Sequence, residues 1–177
     1  MTTTCSSREF RPIDIAVLTV SDTRTESTDT SGQLLVEKIT AAGHRLSDKR
    51  IVSDDKYQLR LIVSQWIVDP DVDAVIITGG TGITHRDITP EAVSVLFDKS
   101  IEGFGELFRY LSYQDVQTST IQSRAVAGVA NGTFIFALPG STNACRLAWD
   151  EILAHQLDSR HRPCNFVELI PRLREPS

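Results

Sequence analysis

Gly79-Gly80-Thr81-Gly82, then Arg86-Asp87 and Thr89-Pro90-Glu91, is the stretch of this 177-residue chain whose residue types and spacing best suit chemistry. Glycines let backbone N–H groups approach an anion because no Cβ stands in the way, and a helix starting just beyond favours negative charge at its first turn. Thr89-Pro90-Glu91 spells such a start: a capping hydroxyl, a proline at the first helical position and an acid in the first turn. Together these parts make a device for holding phosphate and a metal ion. Glycines alone do not establish this, since any strand-to-helix turn uses them. No Gly-Lys-Ser/Thr closes the loop as in a Walker A sequence, and His85 stands where a dinucleotide fingerprint places its last glycine, which argues against a dinucleotide-dependent oxidoreductase.

The elements that must position this loop are legible as an alternation. Residues 13–20 form an apolar run that reads as a central strand covered on both faces. Residues 21–30 are polar and read as a mobile loop, and residues 31–43 as a helix stopped by glycine. A weaker strand signal covers 44–52. Leu59, Ile62, Val63, Trp66 and Ile67 then recur with helical period. A strand at 73–78, a helix from Pro90, a helix over 104–115, a β-hairpin turning at Asn131-Gly132 and a last helix carrying Cys145, Ala148, Trp149, Ile152 and Leu153 complete the chain. The expected fold is α/β, a single three-layer domain with a mostly parallel sheet, helices on both faces and a β-hairpin. The domain spans 13–158, between a flexible segment 1–12 and an irregular tail 159–177. Ser21-Asp22, Asp54 and the Gly79 loop each follow a strand, so they converge on one edge of the sheet, where ligands sit in such folds.

Composition bounds the function. Net charge is −5, which argues against nucleic acid as the main partner. No apolar run approaches the length of a membrane span, and residues 1–12 contain no apolar h-region. Cys5, Cys145 and Cys164 are odd in number and widely spaced, which reads as reduced thiols in a cytoplasmic protein. Cys145 lies on an apolar helix face and reads as packing.

The string TGGTG, four residues, Asp87, then Ile88-Thr89-Pro90-Glu91 resembles the molybdopterin-binding family of molybdenum cofactor biosynthesis proteins. Further matches are Val20-Ser21-Asp22, Asp29-Thr30-Ser31-Gly32, Gly103-Phe104-Gly105-Glu106, Gln122-Ser123-Arg124 and Leu138-Pro139-Gly140. The spelling of residues 139–142 and of 162–166 looks like the B-type branch of that family. The resemblance implies molybdopterin binding and Mg-ATP-dependent adenylylation of molybdopterin with release of pyrophosphate. It implies Mg²⁺ as cofactor, with ATP and molybdopterin as substrates. A phosphate nucleophile is already ionised at neutral pH, so catalysis of this kind rests on positioning and electrostatics and needs no Ser, Cys or His nucleophile.

The resemblance sorts the candidate residues. Asp87 and Asp54 are the catalytic and magnesium-ligating carboxylates; each also has a structural reading, Asp87 as helix-dipole complement and Asp54 as N-cap. Ser21, Asp22, Gly79, Gly80, Thr81, Gly82, Arg86, Thr89, Glu106, Ser123, Arg124, Pro139, Gly140 and Ser141 border the substrates. Arg86 and Arg124 suit phosphate but are also ordinary surface arginines, and turn serines often bond their own backbone. Glu106 with Arg109 is by default an intrahelical ion pair. The rival reading is a carrier that binds molybdopterin without transferring AMP. A homotrimer or hexamer is expected, with Phe104, Phe108, Tyr110 and Leu111 as its apolar patch. Other molybdenum cofactor biosynthesis proteins are candidate partners.

Overall fold

The computed structural model describes residues 8–175, so Cys5 lies outside the described residues. One sheet holds β1 (Asp14–Val20), β2 (Arg45–Val52), β3 (Ala74–Thr78), β4 (Lys99–Ser100), β5 (Val126–Ala130) and β6 (Thr133–Leu138). Their order is β2-β1-β3-β6-β5-β4. Neighbours among β2, β1, β3 and β6 are parallel, and β5 is antiparallel to both of its neighbours. Successive residues of a strand point to opposite faces. Ile15 and Val17 of β1 therefore join Ile76, Phe134 and Phe136 in one core, while Ala16 and Leu18 join Val75, Ile77 and Ile135 in the other. The first core is covered by α1 (Thr30–Ala41), α4 (Glu102–Val116) and α5 (Thr142–Ala148), the second by α2 (Lys56–Val68) and α3 (Thr89–Val93). This is the three-layer, mostly parallel α/β arrangement expected from the alternation of strand and helix patterns.

The hairpin between β5 and β6 turns at Asn131 and Gly132, whose φ values of 48° and 81° are the left-handed pair that a two-residue hairpin turn requires. Several details depart from expectation. Strand β4 is two exposed residues, too short to leave a pattern. Helix α3 is only five residues and tightens into a turn at 94–96. Of the segment expected to be flexible, residues 8–12 are held: the Arg11 amide donates to Ser159 Oγ at 2.9 Å, and the Phe10 ring lies 5.1 Å from His44. The tail is likewise packed, with Phe166 against Phe134 at 4.8 Å, Val167 buried, and a short helix α6 (Ile170–Leu173). No helix among the described residues is long and apolar enough to cross a membrane.

The apolar bulk of α4 also divides differently than expected. Phe104 and Phe108 complete the protein's own core, with Leu111 packed against it, because they fall on the sheet-facing stripe. Tyr110 is exposed, together with Leu107, Tyr113 and Val116 on the same helix.

Helix α2 settles the two readings of its N-terminus. Asp55, not Asp54, is the cap: its carboxylate accepts from the Tyr57 and Gln58 amides at 2.8 and 2.9 Å. Asp55→Ala is expected to cost about 1 kcal/mol in urea unfolding. Asp54→Ala, which leaves the cap untouched, shows no such loss.

Candidate functional site

The chain leaves β1 for β2 on one side and places β3 on the other, so a crevice opens at the carboxyl ends of β1 and β3. Ser21 and Asp22 follow β1, Asp54 follows β2, Gly79 to Gly82 follow β3, and Pro139, Gly140 and Ser141 follow β6. Gly79 has φ 108°, and a Cβ there would stand 2.2 Å from the Val20 carbonyl oxygen, so only glycine lets the two loops cross this closely. The second loop is tied down from β3 and α1: Thr78 Oγ1 donates to the Pro139 carbonyl at 3.0 Å, and Ser31 Oγ to the Gly140 carbonyl at 2.8 Å.

Thr89 and Arg124 have other roles than those expected. Thr89 is the first residue of α3 and caps nothing; its hydroxyl donates to the Gly79 carbonyl at 2.8 Å and its amide to the Gly80 carbonyl at 2.9 Å. Arg124 Nε donates to the Gly82 carbonyl and one terminal nitrogen to the Asp87 carbonyl, both at 2.6 Å, while the other terminal nitrogen pairs with Glu91. These contacts use the guanidinium to shape the glycine loop. Ser21 accepts from the Thr23 and Arg24 amides, and Ser141 caps α5 through the Ala144 amide, so both serines close their own turns.

Asp22, Asp54 and Asp87 come from three loops at this edge; Asp87 lies beside Gly82, and among the described residues no three acidic, histidine or cysteine side chains cluster as a metal cage. Asp22 accepts from the Asp54 amide at 3.1 Å and pairs with Arg86. Asp54 is pushed above its ordinary carboxyl range, first by burial and then by the charge of Asp87. Arg86 Nε stands 3.7 Å from Asp54, an ion-pair distance beyond hydrogen-bond reach. Burial also acts to raise Asp87, but donation from the Thr84 hydroxyl and amide, the Gly82 amide and the charge of Arg124 hold it below the ordinary value. The two acids thus differ in kind: Asp87 is held ionised by its own loop, whereas Asp54 carries a charge that the surroundings oppose.

Two cavities lie on either side of the loop pair. The larger, about 560 Å³, is lined by Thr81, Gly82, Phe108, Ser123, Pro139 and Ser141 among others. The smaller, about 270 Å³, is lined by Ser21, Asp29, Ser31, Gly79, Gly80, Asp87 and Gly140 among others. Asp29 and Ser31 belong to the Asp29-Thr30-Ser31-Gly32 match but are not among the site residues expected from the sequence, since the segment reads there as the end of a polar loop. Asp29 caps α1, and its buried carboxylate also accepts from Thr19 Oγ1 at 2.9 Å and pairs with Lys49 at 3.2 Å. Glu106 is not brought to either cavity. It lines a third one, about 570 Å³, behind residues 123–127, and Arg109 donates to the Ala125 carbonyl instead of pairing with it. Cys145 is packing, its thiol pushed up to about 11 by burial.

Comparison with known proteins identifies the family. The family model described as "Probable molybdopterin binding domain" matches residues 16–159. The chain belongs to this family. It is 58% identical over 160 residues to molybdenum cofactor biosynthesis protein B of Escherichia coli, covering 90% of this chain and 94% of that protein. A crystal structure of a molybdenum cofactor biosynthesis protein B superposes with a TM-score of 0.85 at 41% identity, covering 94% of this chain and 98% of the other. The tungsten cofactor synthesizing protein MoaB from Pyrococcus furiosus superposes with a TM-score of 0.76 at 35% identity, covering 93% and 99%.

The opposed shifts of the two acids predict opposite effects on stability in metal-free buffer. Ionised Asp54 destabilises the folded chain above its raised folded value, and that penalty vanishes below the unfolded value of about 4. Asp54→Asn therefore raises the melting temperature at pH 7, and the gain closes by about pH 3.5. Asp87 contributes stability above the unfolded value and loses it as pH falls through its depressed folded value. Asp87→Asn lowers the melting temperature at pH 7, and that loss shrinks in acid.

Proposed function

We propose that this chain binds molybdopterin and transfers AMP from Mg-ATP to its terminal phosphate, releasing pyrophosphate. The observation that carries the reading is the shared wall. Gly79 to Gly82 and Pro139 to Ser141 separate a cavity of about 560 Å³ from a polar one of about 270 Å³, so that two ligands bound there lie side by side. The larger volume is of the size that small-molecule sites use, and Phe108, Pro139, Ser123 and Ser141 offer a pterin apolar contact and hydroxyl groups. The smaller takes nucleotide phosphates over Gly79 and Gly80.

Asp54 and Asp87 suit a divalent cation because Asp87 is held ionised and its charge opposes that of Asp54. Magnesium takes one or two carboxylates and completes its shell with phosphate oxygens and water, so the residues present fit it. Bound there, it supplies positive charge to the triphosphate and to the phosphorus under attack. The rest is positioning by the protein itself. Arg124 fixes the path of the glycine loop, and the hydrogen bonds from Thr84 keep the Asp87 carboxylate ionised and aimed. No general base is required, because the attacking phosphate is already ionised. A homotrimer or hexamer is part of this proposal, supported by the exposed Leu107, Tyr110, Tyr113 and Val116 on α4, as is work alongside other molybdenum cofactor proteins in the cytoplasm.

A carrier without transfer is the second reading, and it has an observation of its own: Arg86 already lies against Asp22 and near Asp54. Purified protein with molybdopterin and Mg-ATP, followed for pyrophosphate and adenylylated pterin, separates the two. The enzyme turns over, and Asp87→Asn still binds the pterin but loses about 10²–10³ in rate. A carrier binds molybdopterin and yields no pyrophosphate. Wild-type rates in Asp87→Asn would remove this residue from the mechanism.

A further inference from the structure

Arg86 is the side chain of the glycine-loop segment that points its charge at the acids. It is long and two-thirds exposed, it pairs with Asp22, and its Nε stands 3.7 Å from Asp54. Among the described residues no other cation forms an ion pair with either acid. Arg124, the neighbouring guanidinium, is committed to two carbonyls and Glu91. Lys49 is committed to Asp29 and Glu26. Among the described residues Arg86 is thus the one exposed side-chain cation paired with this acidic face. Because it is exposed, its pairing is weak and readily exchanged.

Resting on the magnesium–nucleotide reading above, we propose that Arg86 is an exchangeable counter-ion. In the ligand-free protein it occupies the acidic face in place of the metal, and when metal and nucleotide enter together it gives up the carboxylates and takes the nucleotide's phosphates. Asp22 is then a docking residue for the arginine, and Asp54 the acid for which metal and arginine compete. One consequence is an order of binding. Free metal competes with Arg86, whereas a metal–nucleotide complex brings an anion that rewards the arginine for leaving. A guanidinium donates a fork of N–H groups matched to phosphate oxygens, so the exchange replaces one charge-assisted contact with another. The device disfavours metal without nucleotide.

The test uses the full chain without other ligands and Mn²⁺ alone, its free concentration followed by electron paramagnetic resonance. Arg86→Gln is expected to bind Mn²⁺ about fivefold more tightly than wild type, the size of a lost exposed competitor. Arg86→Lys, which keeps the charge, stays within about twofold of wild type, and Arg86→Gln combined with Asp54→Asn loses the gain. In the second arm, with molybdopterin present, Arg86→Gln binds Mg-ATP about tenfold more weakly, as expected for one lost phosphate contact. Metal and nucleotide affinities move in opposite directions, which local misfolding does not produce. Unchanged or weaker Mn²⁺ binding by Arg86→Gln, or no Mn²⁺ binding by either protein, overturns the counter-ion role. Tighter Mn²⁺ binding with unchanged Mg-ATP binding overturns the exchange. If wild type shows no Mg-ATP response even with molybdopterin, the transferase reading fails instead, and the Mn²⁺ arm still decides whether Arg86 guards the acids.

Discussion

The absence of a side chain at Gly79 is the constraint on which this structure turns. The Val20 carbonyl occupies the space a Cβ would fill, so the end of β1 and the turn after β3 are pressed together. That contact brings Asp22 and Asp87, residues far apart in the chain, to the same crevice. It also forces the backbone into a left-handed conformation that continues into Gly80, where φ is 64°. A loop bent this way exposes its own carbonyls, and Thr89 and Arg124 are what satisfy them. Such groups would otherwise cost desolvation energy at the edge of a cavity. The turn, the threonine and the arginine form one unit, and none of the three has an adequate reason to be there without the others.

Within this frame the electrostatics are arranged in layers. Buried Asp29 is satisfied by Thr19, the Gly32 amide and Lys49, and serves as a fixed wall of the smaller cavity. Asp87 is satisfied by its own loop. Asp54 has neither advantage: burial and Asp87 both oppose its charge. Residues that cost stability where they stand are retained when something other than stability selects them. The placing of a destabilised acid beside a rigid, ionised one is the feature that most separates this crevice from an ordinary loop cluster.

The fold was legible where burial leaves a simple pattern. Runs such as residues 74–78, apolar at every position, announce strands covered on both faces, and Asn131-Gly132 announces a hairpin by its conformational demands alone. The cluster after the strands was legible too, since each member follows a strand directly. What was hidden depends on distance. Asp54 and Asp55 are adjacent and both suit a helix start, so spacing cannot say which one caps and which one faces Asp87. Arg124 looked free because its partners lie 37 and 42 residues away. The tail looked irregular because arginine and proline dominate it, while its packing rests on a few apolar residues, Phe166, Val167 and Ile170, against strands made much earlier.

The same long reach has a consequence for how the protein is made. The glycine loop is encoded by residues 79–82, but the groups that hold its shape arrive later: Thr89, then Arg124, then the 139–141 loop that Ser31 and Thr78 secure across 109 and 61 residues. Contacts of such separation form late, after the loop-closure entropy between their ends has been overcome. During synthesis the chain emerges with its strands β1 to β3 complete and its glycine turn unsupported. The crevice is therefore a property of the finished fold, and a nascent or truncated chain ending before residue 140 carries the glycine motif without the surface it is meant to make.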